Sequence, residues 1–331
     1  MLEPKQRSRV FSIKEANIFF ILLAFLFLTV GSYVQSRELI SGLLITEFGL
    51  LALPVILYAI FTKKDLKKVF RLKGLPFEAV IKIIVLAALL IPIIAVANLV
   101  TIFFIELFGK PVISMIPTAT NTAEFLLLFA VIAGSAGICE EIFFRGVILN
   151  GYESEVGLKW GAIFSGLLFG IFHFNPQNLF GPIILGIVFS YLVQLTGSII
   201  AGIVAHMANN GIAVTMGFLL NVFDGGTGDL ATGEVAFESM GIMLGVMVFY
   251  LLMAIVFYIG IKTIFRSLNT MFPRTKIVSS YDEVLEETVE VTIADEGPLW
   301  KPGSLNMSIG HFFPIGLSIS MYGVIIYLAY F

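Results

Sequence analysis

Two carboxylates and a guanidinium stand within six positions of one another in Cys139-Glu140-Glu141-Ile142-Phe143-Phe144-Arg145-Gly146, inside a stretch otherwise apolar enough to cross a bilayer. A charge near the bilayer centre costs at least ~2.5–3.5 kcal/mol per residue on insertion scales. These three groups therefore need mutual pairing, a water-filled cavity, or both. Glu141 and Arg145 are spaced i, i+4 with the acid first, the favourable order on a helix. Their pairing is a purely structural explanation for two of the three. It leaves Glu140 over, and a buried carboxylate without a cation is a candidate base.

Two of the three histidines also fall in apolar stretches. His173 closes Phe169-Gly170-Ile171-Phe172-His173, and His206 opens His206-Met207-Ala208-Asn209-Asn210. A lone histidine on a helix is more often a satisfied core residue than a catalyst. Here two of them, an Asn pair and a Glu pair all sit where polar groups face a bundle interior. His206 and Asn210 share a helix face, with Asn209 beside it. The chemistry this set supports is water activation: Glu140 as general base, His173 orienting the water or sharing its proton, and His206 with Asn210 donating hydrogen bonds to a developing oxyanion. Zinc held by His173, His206 and Glu140 is the alternative these residue types leave open. No HExxH is present, and histidines on separate helices are a weaker metal signal, so no cofactor is favoured. Cys139 is the one cysteine, which excludes an intrachain disulfide; its apolar and acidic surroundings argue against a nucleophilic thiol.

The elements that must position these groups are membrane spans. Of 331 residues, 58% are hydrophobic and 13% charged, far from the balance of a soluble domain. Hydropathy predicts an all-α polytopic bundle of about eight core spans plus one C-terminal span, near 17–35, 39–61, 79–107, 123–150, 158–175, 180–196, 197–222, 239–265 and 312–331. The expected organisation is N-terminal helices over 1–122, a core carrying the polar motifs over 123–222, a further helix within 223–266, a polar cytoplasmic segment over 267–311 and a last span from 312. Within the polar segment, an acidic run rich in Val and Thr reads as a hairpin or an ordered linker. At 1.5 Å per residue, Glu140, His173 and His206 lie at ~16, ~21 and ~14 Å from the cytoplasmic ends of their spans, within roughly one to two turns of a common depth. Glu47 also falls inside a span and is assigned no role. Gly134, Ser135, Ala136 and Gly137 read as a small-residue packing face. The Phe-rich runs read as lipid-facing or core.

Basic residues set the orientation. The start of the chain and the 62–74 loop (Lys63, Lys64, Lys67, Lys68, Arg71, Lys73) are basic, whereas 223–238 carries acids and no Lys or Arg. This places the N-terminus in the cytoplasm, with no cleavable signal peptide evident.

The three motifs resemble those of the CAAX protease and bacteriocin-processing family of intramembrane endopeptidases, which includes the Rce1-type prenyl-protein proteases. The family pattern is Glu-Glu-x-x-x-Arg, Phe-x-x-x-His and His-x-x-x-Asn on successive core helices. Here it stands intact and in order at Glu140–Arg145, Phe169–His173 and His206–Asn210, within about residues 120–215. The resemblance implies peptide-bond hydrolysis in the membrane by water activated at Glu140 and His173, with His206 and Asn210 on the oxyanion. Both a metal-dependent and a glutamate-based mechanism have been described for the family. Its implied partners are the lipid bilayer and a membrane protein or lipidated peptide, prenylated in one branch, and no nucleic acid. The short interval from His173 to His206 points to the prokaryotic branches, and residues 267–331 have no counterpart in the motif set. Two other classes of function compete. A proton-coupled transporter would use the Glu/His cluster as a relay, but the expected inverted repeats are not seen. A non-catalytic scaffold has no need of buried charge.

Overall fold

The computed structural model describes residues 10–108, 117–223, 240–273, 275–282, 287–294 and 309–330. The acidic 223–238 loop lies almost wholly outside these residues, as do 295–308 and the side chain of His311. Helix α1 spans Ile13–Arg37, α2 Leu39–Phe61, α3 Phe77–Phe108, α4 Thr122–Phe172, α5 Phe180–Thr196, α6 Ile199–Phe223 and α7 Met240–Met271. Strands β1 (Thr275–Asp282) and β2 (Glu287–Ala294) follow, then α8 (Ile309–Tyr330). The strands pair antiparallel from Thr275 with Ala294 to Asp282 with Glu287, so the Val- and Thr-rich segment forms a hairpin.

Among the described residues six helices are long and apolar enough to cross a membrane, fewer than the nine spans expected. The difference of three has three sources, one of which is the last expected span, where only Phe312–Met321 is counted and as a shorter apolar helix. Helix α5 has only 17 residues, short of the ~20 a span needs. In addition, the expected spans 123–150 and 158–175 join into one 51-residue helical run, α4. Its two arms meet at Gly157, whose φ of 78° is a backbone conformation L side chains rarely adopt. The stretch from 151, expected as a connection, is helical because its side chains are tied down. Gly151 packs so closely on α1 that a Cβ there would lie 2.8 Å from Ala16 Cβ, and Tyr152 Oη donates to Asn17 Oδ1 at 2.9 Å.

Packing follows from small residues at the closest approaches. Gly166 on the second arm of α4 faces Gly186 on α5, where a Cβ on Gly186 would lie 2.7 Å from Gly166 Cα. Gly137 on the first arm faces Met207 on α6. The packing face expected from Gly134–Gly137 thus has Gly137 as its point of contact. Two buried clusters result. One joins α1, α2 and both arms of α4 through Phe20, Phe143, Phe144, Phe169 and Phe172. The other joins α3, α5, α6 and α7 through Leu86, Phe189, Ala201 and Leu268. The phenylalanines flanking the motifs are therefore core residues, not lipid-facing ones.

Among the described residues four stretches are wound as π-helix: Phe27–Gly31, Ile45–Ala52, Phe129–Ser135 and Phe144–Leu149. Such wide turns are rare and often mark functional sites. Three of these four hold a polar group of the cluster described next.

Candidate active site

Arg145 lies on the π turn Phe144–Leu149 and is 1% exposed, so its guanidinium can be compensated only by protein. Its Nη1 donates to Glu141 Oε1 at 2.7 Å, the i, i+4 pair the spacing predicts. Its Nη2 donates to the carbonyl of Gly186 on α5 at 2.9 Å. The rings of Phe169 and Phe189, one from each buried cluster, have centroids 5.0 and 5.4 Å from the guanidinium carbon. At this range ring faces attract a desolvated cation. Arg145 thus bolts the two clusters together, and the ion pair sits on their seam.

Glu141 Oε1 also meets His206 Nδ1 at 3.0 Å. An oxygen that already accepts from arginine is an acceptor here too, so the proton of this bond belongs to Nδ1. That fixes the ring and turns Nε2 towards Glu140, whose Oε2 is 4.0 Å away. Phe189 stacks on the His206 ring at 5.4 Å, and Phe169 meets it edge-on at 5.5 Å. Gly202, one turn before His206, makes room for the acid: a Cβ there would lie 2.3 Å from Glu141 Oε2. The i, i+4 spacing of Gly202 and His206 was a signal available in the sequence.

Asn210 lies one turn beyond His206. Its Nδ2 donates to the carbonyl of Ile132, on the π turn Phe129–Ser135, at 3.1 Å, and its Oδ1 accepts from Asn209 Nδ2 at 3.1 Å. The amide is thereby held in one orientation.

His173 is placed differently. It caps the second arm of α4, is exposed, and holds its ring by Nδ1 against the carbonyl of Phe169 at 2.8 Å. Among the described residues no ion pair joins it to Glu140 or Glu141. Phe169 connects it to the cluster, with ring centroids 4.8 Å from the His173 ring and 5.5 Å from the His206 ring. The chain then turns sharply at Phe174, whose φ of 47° is unusual for a bulky residue.

The structure thus brings Glu140, Glu141, Arg145 and His206 together, sets Asn210 one turn away and places His173, exposed at the end of the second arm of α4, against Phe169. The zinc set of His173, His206 and Glu140 is not assembled. The 4.0 Å between His206 Nε2 and Glu140 Oε2 exceeds the ~3.4 Å edge of a tetrahedron with ~2.1 Å bonds. Among the described residues no three His, Cys, Asp or Glu side chains are arranged to hold a metal ion. Sequence reasoning passed over Glu47, which is 5% exposed on the π turn Ile45–Ala52 of α2 and interacts electrostatically with Glu140.

Beside this cluster an apolar cavity of about 460 Å³ lies between α3 and α6, lined by Val80, Ile84, Phe129, Met207, Gly211 and Met216 among others.

A bundle of apolar helices with a buried carboxylate–guanidinium–imidazole cluster is an integral membrane protein with a polar interior site. More specifically, residues 122–212 match the model of the Rce1-like family, type II CAAX prenyl endopeptidase Rce1-like. The matched stretch runs from the start of α4 to just past Asn210, so it contains all three motifs and the whole candidate site except Glu47. It supports an intramembrane CAAX-type endopeptidase in general terms. No curated protein matches this chain, and no solved structure does.

Proposed function

We propose that this protein is an intramembrane endopeptidase that hydrolyses a peptide bond of a membrane-associated substrate by carboxylate-activated water. The observation that carries the reading is the division of labour between adjacent acids. Glu141 is occupied by Arg145 and His206, whereas Glu140 keeps a fully buried Oε2 with no hydrogen-bond partner and faces His206 Nε2.

Glu140 takes a proton from a water beside it as the oxygen attacks the scissile carbonyl, and returns that proton to the leaving amine. Glu141 orients His206 through Nδ1, so Nε2 is turned towards the reacting centre, where it can accept a proton of the attacking water. Asn210, its amide fixed by Ile132 and Asn209, supplies a donor to the oxyanion from its remaining N–H. His173, exposed at the end of the second arm of α4, orients water or the substrate chain. The apolar cavity against α6 suits a lipid chain carried by the substrate, so a prenylated CAAX-type peptide is the first substrate to test. The basic 62–74 loop supports a cytoplasmic N-terminus.

The test is cleavage of a farnesylated CAAX peptide by the purified full-length protein in liposomes, with and without chelator, beside Glu140→Gln. Cleavage that survives chelator and disappears in Glu140→Gln is expected. Cleavage that persists in Glu140→Gln removes the base assignment, and loss on chelation with recovery on adding zinc moves the chemistry to a metal.

A further inference from the structure

We propose that Phe189 is a positioning residue of this site: its ring face stops the His206 imidazole from pivoting, so that Nε2 stays directed at Glu140. The inference rests on the hydrolase reading for its effect on turnover, but not for the hold on the ring. Phe189 belongs to none of the three motifs and lies on α5, which carries no charged residue.

The need for such a residue follows from the geometry of the imidazole. Among the described residues its ring makes one hydrogen bond, from Nδ1 to Glu141 Oε1 at 3.0 Å. The helix fixes Cβ, and that bond fixes Nδ1. Rotation about the line joining the two is left, and it sweeps Nε2 sideways, off the Glu140 Oε2 that stands 4.0 Å away. Phe189 blocks this rotation. Its ring lies over the imidazole at 5.4 Å between centroids, with 30° between the planes. Phe169 adds an edge contact at 5.5 Å and 80°, which presents no parallel surface to the ring.

The same ring has its centroid 5.4 Å from the guanidinium carbon of Arg145. Arg145 and His206 are the two partners of Glu141 Oε1, so one phenylalanine restrains both. Phe189 is itself held firmly. It is 1% exposed, and it shares a buried face of α5 with Gly186, Ser190 and Val193. A Cβ on Gly166 or Gly170, on the second arm of α4, would lie 2.5 Å from Ile187 Cγ1 or 2.4 Å from Ile183 Cγ1, so α5 is pressed against that arm. The Gly186 carbonyl accepts from Arg145 Nη2 at 2.9 Å and from Ser190 Oγ at 2.8 Å. Val193 meets α6 at Gly202, where an added Cβ would lie 3.0 Å from Val193 Cγ2. Helix α5 is thus pinned at Gly186 and at Val193, and Phe189 stands between the two pins.

Packing of this kind matters to rate, because a misplacement of about 1 Å caused by a residue away from the chemistry can cost about 10²-fold. Phe189 is not required to touch substrate. It acts through the imidazole.

The test begins without substrate. The chain has three histidines, so solid-state NMR of the full-length protein in liposomes, with isotope-labelled histidine, needs only His206→Gln to identify the signals of His206. Its ring protons are expected upfield, as for protons over an aromatic face, and are expected to move downfield in Phe189→Leu. Leu192→Ala, which removes another buried side chain from α5, is expected to leave them in place. Signals that Phe189→Leu leaves unmoved overturn the hold on the ring. Cleavage of the farnesylated peptide then tests positioning. Phe189→Leu is expected to lower kcat about tenfold or more with KM unchanged, and Phe189→Tyr, which keeps the ring face, to retain most of the rate. Wild-type kcat in Phe189→Leu, or an equal fall in Leu192→Ala, overturns the positioning role. Where Phe189→Leu does not fold, Phe189→Met serves for both readings. Because the spectra need no substrate, failure of the hydrolase reading and failure of the hold on the ring are distinguishable.

Discussion

Two clusters of charge in this protein use the same residue types and reach opposite ends. At the start of α1, Glu15 accepts from Ser12 N, Ser12 Oγ, Lys64 Nζ and Tyr58 Oη, all between 2.8 and 2.9 Å. Its carboxylate is saturated, and the capping box with Ser12 explains it as a helix start tied to the adjacent loop. At the seam of α4 and α6, Glu140, Glu141 and Arg145 are as deeply placed or deeper, yet Glu140 Oε2, Glu141 Oε2 and Arg145 Nε have no hydrogen-bond partner. A cluster that served only to hold helices together would be satisfied like Glu15, since a buried polar atom left unpaired costs about 1–3 kcal/mol. Unspent hydrogen-bonding capacity at the seam is what a site needs to receive water, a proton or a substrate.

The comparison breaks most sharply at Glu140. Replacing it by Gln is expected to lower peptide cleavage by about 10²–10⁴, the range of a general base, with thermal unfolding in detergent unchanged. A loss of stability equal to the loss of activity would return Glu140 to the structural class. Next comes Arg145. Arg145→Met leaves Glu141 charged, buried and facing only His206, and such one-sided removal costs about 3–5 kcal/mol. The expected result is poor yield and a much lower unfolding temperature, with a partial return in the double variant carrying Glu141→Gln. Asn210→Ala is expected to lower kcat by about 10²–10³ with little change in KM, as for loss of an oxyanion donor. A change in KM alone would make Asn210 a binding residue. The smallest effect is expected at the saturated cluster. Lys64→Met removes a partly exposed pair worth at most about 1 kcal/mol and leaves cleavage unchanged, measured in the same liposomes.

Much of this site was legible in the residues. The i, i+4 spacing of Glu141 with Arg145 foretold their bond, and the intolerance of lipid for charge foretold that the polar groups would turn inward. The His206–Asn210 face was likewise fixed by helical periodicity. Other parts were not legible for physical reasons. Depth along a straight helix put His173 level with Glu140, but the run breaks at Gly157, and periodicity did not show that His173 ends the second arm exposed, with no ion pair to Glu140 among the described residues. Periodicity could not separate core from lipid-facing phenylalanines, because both environments are apolar. A π turn has no signature in residue type, so the placement of Arg145 and the presentation of the Ile132 carbonyl were invisible.

The sequence by itself determined that the chain is a helical membrane protein and which of its polar residues have no place in lipid. Hydropathy and helical spacing are local properties, and each can be read along one helix at a time. The packing of separate helices decided which acid is spent on Arg145 and which is left with a bare oxygen. Those outcomes depend on how closely separate helices approach, and glycines such as Gly202 set that distance only when the facing helix is in place.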